Sequence, residues 1–143
     1  MRLPLLAPLA LSLLLTACAT TRPVNQAQLA ALSPQMTAAD VERTLGDATP
    51  LLSFEMPYGA QRAAVRQFNV VVGSRTEMMT VCTPNCMVIP TQVAVTAPLV
   101  VMQGLPERRL LAWGTLEQLS KDASPEQNAV ATEVRARMAA AAK

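Results

Sequence analysis

The start of the chain is not expected to belong to the folded domain. Arg2 gives it a basic beginning, and the residues that follow, 3–15, are almost all apolar. Pro4 and Pro8 interrupt this run, which is also shorter than the roughly 20 residues that span a bilayer as a helix. A basic start before a short apolar run is typical of an export signal. The fold must therefore form from the rest of the 143-residue chain, which is enough for one domain.

Residues 15–18 read Leu-Thr-Ala-Cys and resemble the lipobox of bacterial lipoproteins. The resemblance implies a signal peptide of residues 1–17, diacylglycerol on the Cys18 sulfur and acylation of the new N-terminus. Two or more acyl chains hold a protein stably at a bilayer, so Cys18 would anchor the chain to the membrane without spanning it. Ala19, where some lipoproteins carry Asp, implies the outer membrane and a protein that faces the periplasm. The alternative is an ordinary secretory signal with a chance cysteine.

Composition and charge exclude several classes of function. The chain has 12 Lys+Arg and 10 Asp+Glu, and this near balance argues against a nucleic-acid partner. It has no histidine, which removes the commonest general base and neutral metal ligand. Its acidic residues are scattered, and with 5 Gly it has no glycine-rich phosphate loop. We therefore expect no enzyme activity, no cofactor and no resident metal.

Two short helices are predicted at the beginning of the mature chain. Residues 18–25 are interpreted as a lipidated tether, and Asn25 with Gln28 forms a capping box for a helix that ends near Leu32.

The second helix has clearer signals at both ends. Thr37 is its candidate N-cap, and Gly46 is a natural residue to end it. Val41 and Leu45 lie four positions apart and therefore share one face. A helix this short is marginal alone, so this face must dock on another element.

Alternating apolar and polar residues predict an antiparallel sheet for that docking. Turns are expected at residues 56–59 and at Gly73-Ser74, so that residues 76–97 form an extra hairpin. The strand candidates are residues 51–56, 62–72, the two halves of 76–97, 99–102 and 109–113.

Helices return at the end of the chain. Thr115 and Gln118 predict a capped helix to about Lys121, and Ser124 begins a last helix. The fold class is therefore α+β: short N-terminal helices packed on a small antiparallel β-meander, with an extra hairpin and a C-terminal helix. The main domain is assigned to residues 26–123 and the last helix to residues 124–143.

The second predicted helix also carries a family resemblance. Its motif consists of Met36, Thr37, Val41, Leu45 and Gly46, followed by a nearby proline. It is similar to the opening of SmpA/OmlA/BamE-like domains, which read Gly-Met-Thr, a Val, then Leu-Gly. Those domains are small outer-membrane lipoproteins with two helices on a three-stranded antiparallel sheet.

The resemblance implies a structural or protein-binding role in envelope integrity or outer-membrane protein assembly, with an unidentified envelope protein as partner. The best-known member of the family is an accessory of the machinery that inserts β-barrel proteins. Gln35 stands where the family has Gly, so the tight turn before the helix is expected to be altered or lost.

Cys82 and Cys86 are the remaining thiols once Cys18 is lipidated. In a hairpin with a three-residue loop they would face each other at distances that a disulfide can use, and export places them in an oxidising compartment. The alternative is a periplasmic thiol or copper-binding module, because thioethers beside thiolates suit Cu(I). Its thioethers would come from Met78, Met79 and Met87. An inhibitor-like binding module is a third possibility.

Four arginines form a last candidate feature. Most such residues are merely solvated, and the alternative is a basic patch that faces lipid headgroups. They are Arg62, Arg66, Arg108 and Arg109.

Overall fold

The computed structural model describes residues 21–121 and 124–143, so the predicted signal peptide and Cys18 lie outside the described residues. Four strands form one antiparallel sheet in the order β1-β2-β3-β4, which confirms the predicted α+β class. Among the residues described, no helix is both long and apolar enough to cross a bilayer. The elements are α1 (Gln26–Ala31), α2 (Ala38–Leu45), β1 (Leu52–Tyr58), β2 (Gln61–Cys82), β3 (Cys86–Gly104), β4 (Arg109–Thr115), α3 (Leu116–Lys121) and α4 (Pro125–Ala141).

The N-terminal helices begin where their caps predict. The Asn25 side chain accepts a hydrogen bond from the Gln28 N–H at 2.8 Å, and the Gln28 side chain accepts one from the Asn25 N–H at 2.9 Å. The Thr37 hydroxyl accepts from the Asp40 N–H at 3.2 Å. Gln28 also donates through its Nε2 to the Leu45 carbonyl at 2.8 Å. This bond fastens the start of α1 to the end of α2.

The C-terminal helices also begin as predicted. The Gln118 side chain accepts from the Thr115 N–H at 2.9 Å, and α3 follows at once. The Ser124 hydroxyl accepts from the Gln127 N–H at 3.3 Å, with Pro125 in the first turn of α4.

Helices cover both faces of the sheet. On one face, the first core consists of Val41 and Leu45 of α2, which are buried with Leu32 against the sheet residues Phe68, Val70, Leu99 and Val101. On the other face, α3 and α4 contribute Leu119, Val130 and Val134, which pack with Val65, Val100 and Met102. Because alternate strand residues point to opposite faces, β2 and β3 supply apolar side chains to both layers. The fold is thus a three-layer arrangement in which α4 completes the second core.

The turn predicted at residues 56–59 is wrong. β1 continues to Tyr58, and Pro57 is paired with Arg62. The loop consists of Gly59 and Ala60, where Gly59 has a φ of +58°. A proline is tolerated here because β1 is an edge strand, whose outward N–H groups need no partner in the sheet.

The turn predicted at Gly73-Ser74 is also wrong. β2 runs unbroken to Cys82, and its register with β3 shifts between Val71 and Gly73. A bulge lets the strand absorb one extra residue without ending. The hairpin predicted as extra is therefore the continuation of β2 and β3 beyond the body of the protein.

Val24, inside the predicted tether, is part of the folded body. It is fully buried and forms a parallel bridge with Val70. Its N–H donates to the Asn69 carbonyl at 2.7 Å, and its carbonyl accepts from the Val71 N–H at 2.9 Å. The chain is thus fastened to β2 beside the bulge.

Candidate functional site

The most prominent surface feature is an arm formed by residues 73–82 of β2 and 86–95 of β3, joined by the loop 83–85. β1 pairs with β2 only as far as Gln67, and β4 pairs with β3 only from Leu99. The arm therefore has no third strand among the described residues. At about 3.3 Å per residue, it projects roughly 30 Å from the bulge.

The end of the arm is apolar and exposed. Six of the eight large exposed apolar residues in the described part of the chain lie there. Solvent-exposed apolar patches on monomers commonly mark interaction surfaces. These six residues, called the apolar tip below, are Met78 (70% exposed), Met79 (50%), Val81 (37%), Met87 (62%), Val88 (57%) and Ile89 (40%).

The apolar tip has two apolar faces. Cross-strand partners share a face, so the pairs Met79–Ile89 and Val81–Met87 lie on one side. Because alternate residues of β3 share a side, this is also the side of Leu99, which α1 and α2 cover in the body. The opposite side carries the pairs Met78–Pro90, Thr80–Val88 and Cys82–Cys86.

Charge is confined to the base of the arm. Arg75 and Glu77 form an ion pair of 2.5 Å there, and residues 78–91 contain no ionisable side chain other than the two cysteines. On the opposite side, Gln92 donates through Nε2 to the Thr76 hydroxyl at 2.7 Å. The arm thus changes from polar at its base to apolar at its end.

The two predicted disulfide cysteines close the arm. Cys82 and Cys86 are directly paired, and their sulfurs lie at disulfide distance, 2.04 Å. Met78 shares their side of the arm, whereas Met79 and Met87 lie on the other side. The five sulfurs of the copper alternative are therefore not gathered on one face. Within residues 21–121 and 124–143, no group of three or more His, Cys, Asp or Glu could hold a metal ion.

The family-like motif lies on the body. Val41, Leu45 and Met36 all belong to the first core, and Gly46 ends α2 with a φ of +57°. Gln35 has a φ of +67°, a left-handed conformation that glycine adopts freely.

Two backbone hydrogen bonds hold this segment to β4. The Gln35 N–H donates to the Leu110 carbonyl at 3.0 Å, and the Leu110 N–H donates to the Met36 carbonyl at 2.9 Å. A left-handed residue therefore precedes α2 although the glycine is absent. The two bonds hold Gln35 in a conformation that is strained for a residue with a Cβ.

Arg66 has a role that the sequence did not indicate. Its guanidinium is half-buried and pairs with Glu42 of α2 at 2.5 Å, and its Nη2 donates to the Gln103 side chain at 3.2 Å. It also lies 5.6 Å from the centre of the Phe68 ring. Arg66 therefore ties α2 to the sheet, where a solvated residue or a lipid-facing patch had been predicted. It lines an open cavity of about 350 Å³ together with Arg108.

The pKa of Asp40, at the start of α2, lies below its ordinary value. The main cause is the Thr37 hydroxyl, which donates to the carboxylate at 2.7 Å, and the nearby Arg43 guanidinium adds to it. The Asp40 side chain lies at the surface and is 40% exposed, so the effect supports the helix start and not a catalytic site.

Comparison with known proteins returns no match: no protein-family model, no curated protein and no solved structure is similar to this chain. The functional conclusion therefore rests on the arm, its apolar tip and the sequence signals at the N-terminus.

Proposed function

We propose that this protein is an outer-membrane lipoprotein, anchored through Cys18 and facing the periplasm, with a structural or protein-binding role in envelope integrity or outer-membrane protein assembly. The observation that carries the binding role is the apolar tip. Its six large side chains are 37–70% exposed on an arm that the body leaves uncovered. Burying them against a partner would be favourable, and flexible methionines suit adaptable binding surfaces.

The position of Val24 supports the anchored arrangement. Only residues 19–23 separate the predicted lipid cysteine from Val24, which is fastened to β2 at the base of the arm. Six Cα–Cα steps reach at most about 20 Å. A lipid at Cys18 would thus hold the base of the arm close to the membrane surface, within reach of other envelope proteins.

The test uses a photo-crosslinking amino acid at Met78, in the full lipidated protein within intact envelopes. We expect a protein adduct from this position, because Met78 is 70% exposed at the apolar tip. Leu51 is the matched control, since it is 42% exposed but belongs to the body. Adducts from Leu51 equal to those from Met78 would contradict the role of the arm.

The anchor is tested separately by Cys18→Ser. We expect this variant to remain uncleaved at Ala17, to lack lipid and to be poorly retained in outer-membrane fractions. Processing and sorting like those of the parent protein would contradict the lipoprotein assignment.

A further inference from the structure

The geometry points to the form of the partner: we infer that an extended strand of a partner protein, uncharged where it lies beside residues 78–81, adds to the outer edge of β2 along residues 74–81. This inference rests on the proposed binding role of the arm. It specifies which strand is used, by which backbone groups, and the chemistry of the segment that is bound.

Other backbone segments of the protein pair with the outer edge of β2 as far as the start of the arm. β1 pairs with β2 from Gln61 to Gln67. Val24 follows with its bonds to Asn69 and Val71. Beyond Val71, no backbone segment of the described residues pairs with this edge. A partner strand added here would pair with the same edge of β2 that β1 and Val24 already use.

Proline distinguishes this edge from the outer edge of β3. Pro90 and Pro98 lie in the part of β3 that β4 leaves uncovered, and each removes a backbone N–H. Proline on an exposed edge is a common means of preventing strand addition. β2 contains no proline from Gln61 to Cys82. β2 therefore keeps a complete set of donors where β3 does not.

The side chains beside this edge define the chemistry of the partner segment. Met79 and Val81 lie on one side of β2 and Met78 on the other. A strand added to β2 would place its own side chains next to these on both sides. Backbone bonds would supply affinity, and alternate apolar side chains would supply selectivity, as in other strand-addition complexes. Beside residues 78–81, which carry no charge, a charged partner side chain would lose solvation without gaining an opposite charge.

A lipid surface fits the arm less well. The exposed edges of a two-stranded ribbon carry backbone groups that hydrocarbon cannot satisfy. Residues 78–91 also contain no Lys, Arg, Trp or Tyr, the residues that hold segments at a membrane interface.

Face-to-face packing of the arm on the arm of a second copy also fits less well. Two strands about 4.8 Å apart and about 30 Å long offer roughly 300 Å² on one face. A stable interface needs about 800 Å² from each partner.

The test compares prolines placed at the same rung of the arm. Thr80 and Val88 are direct cross-strand partners, so Thr80→Pro and Val88→Pro disturb the same β2–β3 pair. With the photo-crosslinker at Met78, we expect Thr80→Pro to reduce the protein adduct about tenfold, whereas Val88→Pro keeps most of it. Equal loss in both variants, or a larger loss in Val88→Pro, would overturn strand addition to β2.

Amide hydrogen exchange on the full lipidated protein with the photo-crosslinker at Met78, before and after crosslinking to its captured partner, provides a second measurement that needs no proline in the β2–β3 ladder. We expect new protection in residues 74–81 and none in residues 87–95. Equal protection of the two strands would reject strand addition while leaving the proposed binding role intact. An adduct only with lipid, or only with a second copy of the chain, would reject the partner that we infer.

Discussion

β2 and β3 run through both the body and the arm, yet their apolar side chains are buried in the body and exposed in the arm. In the body, Phe68 and Val100 are 1% and 0% exposed because helices cover both faces of the sheet. In the arm, Met78 and Val88 are 70% and 57% exposed. Full burial of such a side chain contributes roughly 1.5–3 kcal/mol, which the arm forgoes when it is alone. The body therefore gains stability from these side chains, whereas the arm leaves apolar surface exposed, as the proposed binding role requires.

The largest expected effect is a difference in the free energy of unfolding between a variant of the body and a variant of the arm. Leu45→Ala should lower the free energy of unfolding by about 2–5 kcal/mol, because Leu45 is 1% exposed in the first core. Met79→Ala, at a half-exposed position of the arm, should change it by no more than about 0.5 kcal/mol. Chemical denaturation of both variants measures the difference. Similar losses in the two variants would mean that the arm is as important to folding as the body.

A smaller effect on stability is expected when the cysteine pair at the end of the arm is removed. Replacement of both Cys82 and Cys86 by Ala should lower stability by no more than about 2 kcal/mol, because the closed loop is short. Membrane sorting should not change, since in the proposed lipoprotein it would depend on the lipidated terminus. Mass spectrometry and a Cu(I) competition titration on reduced protein complete the measurement. A reduced pair in untreated protein together with tight stoichiometric copper would favour the metal-binding alternative.

A gain in stability is expected from relief of strain in the body. Gln35→Gly should raise the free energy of unfolding by about 0.5–1 kcal/mol. A left-handed residue with a Cβ costs more than the extra backbone entropy that glycine loses on folding. Gln35→Ala is the matched control, because it keeps the Cβ and should bring no gain. A loss of stability in the glycine variant would show that the Gln35 side chain matters more than its backbone.

The smallest expected effect is on the loss of stability at acid pH. Because the pKa of Asp40 in the folded protein is below its ordinary value of 3.8, its charge stabilises the folded state above that pH. This contribution is lost as the pH falls through the lowered folded-state value. Asp40→Asn should therefore lose less stability than the parent when denaturation is repeated between pH 5 and pH 3. An equal loss would show that the Thr37–Asp40 contact adds nothing.

The parts of the fold that the sequence predicts are those specified by local contacts. Each helix start depends on a side chain that bonds to a backbone group three residues away, as Thr37 and Ser124 do. The two wrong turn predictions rest on residue types that are also common in other structures. Pro57 suits an edge strand as well as a turn, and Gly73 suits a bulge as well as a turn.

The candidate site was predicted only in part. The cysteine pair and its Met neighbours are visible in the sequence, but the exposure of the apolar tip is not. Alternation of apolar residues is the same whether or not a helix covers the strand, so it predicts a strand and not its burial. Exposure here depends on where β1 and β4 stop pairing, at Gln67 and Leu99. The Arg66–Glu42 pair likewise needs the fold to bring α2 onto the sheet.

The bridge at Val24 has a mechanical consequence. In a protein anchored as proposed, a pull on the lipid would reach the folded body at Arg22, whose carbonyl accepts from the Thr49 N–H at 3.2 Å, and then at Val24. Val24 runs parallel to β2, so the force acts along the strands and loads its two hydrogen bonds, of 2.7 and 2.9 Å, together in shear. The load then passes into β2, the strand that forms half of the arm. Tension at the membrane would thus be shared between the sheet, through Val24, and the segment that joins α2 to β1, through Thr49.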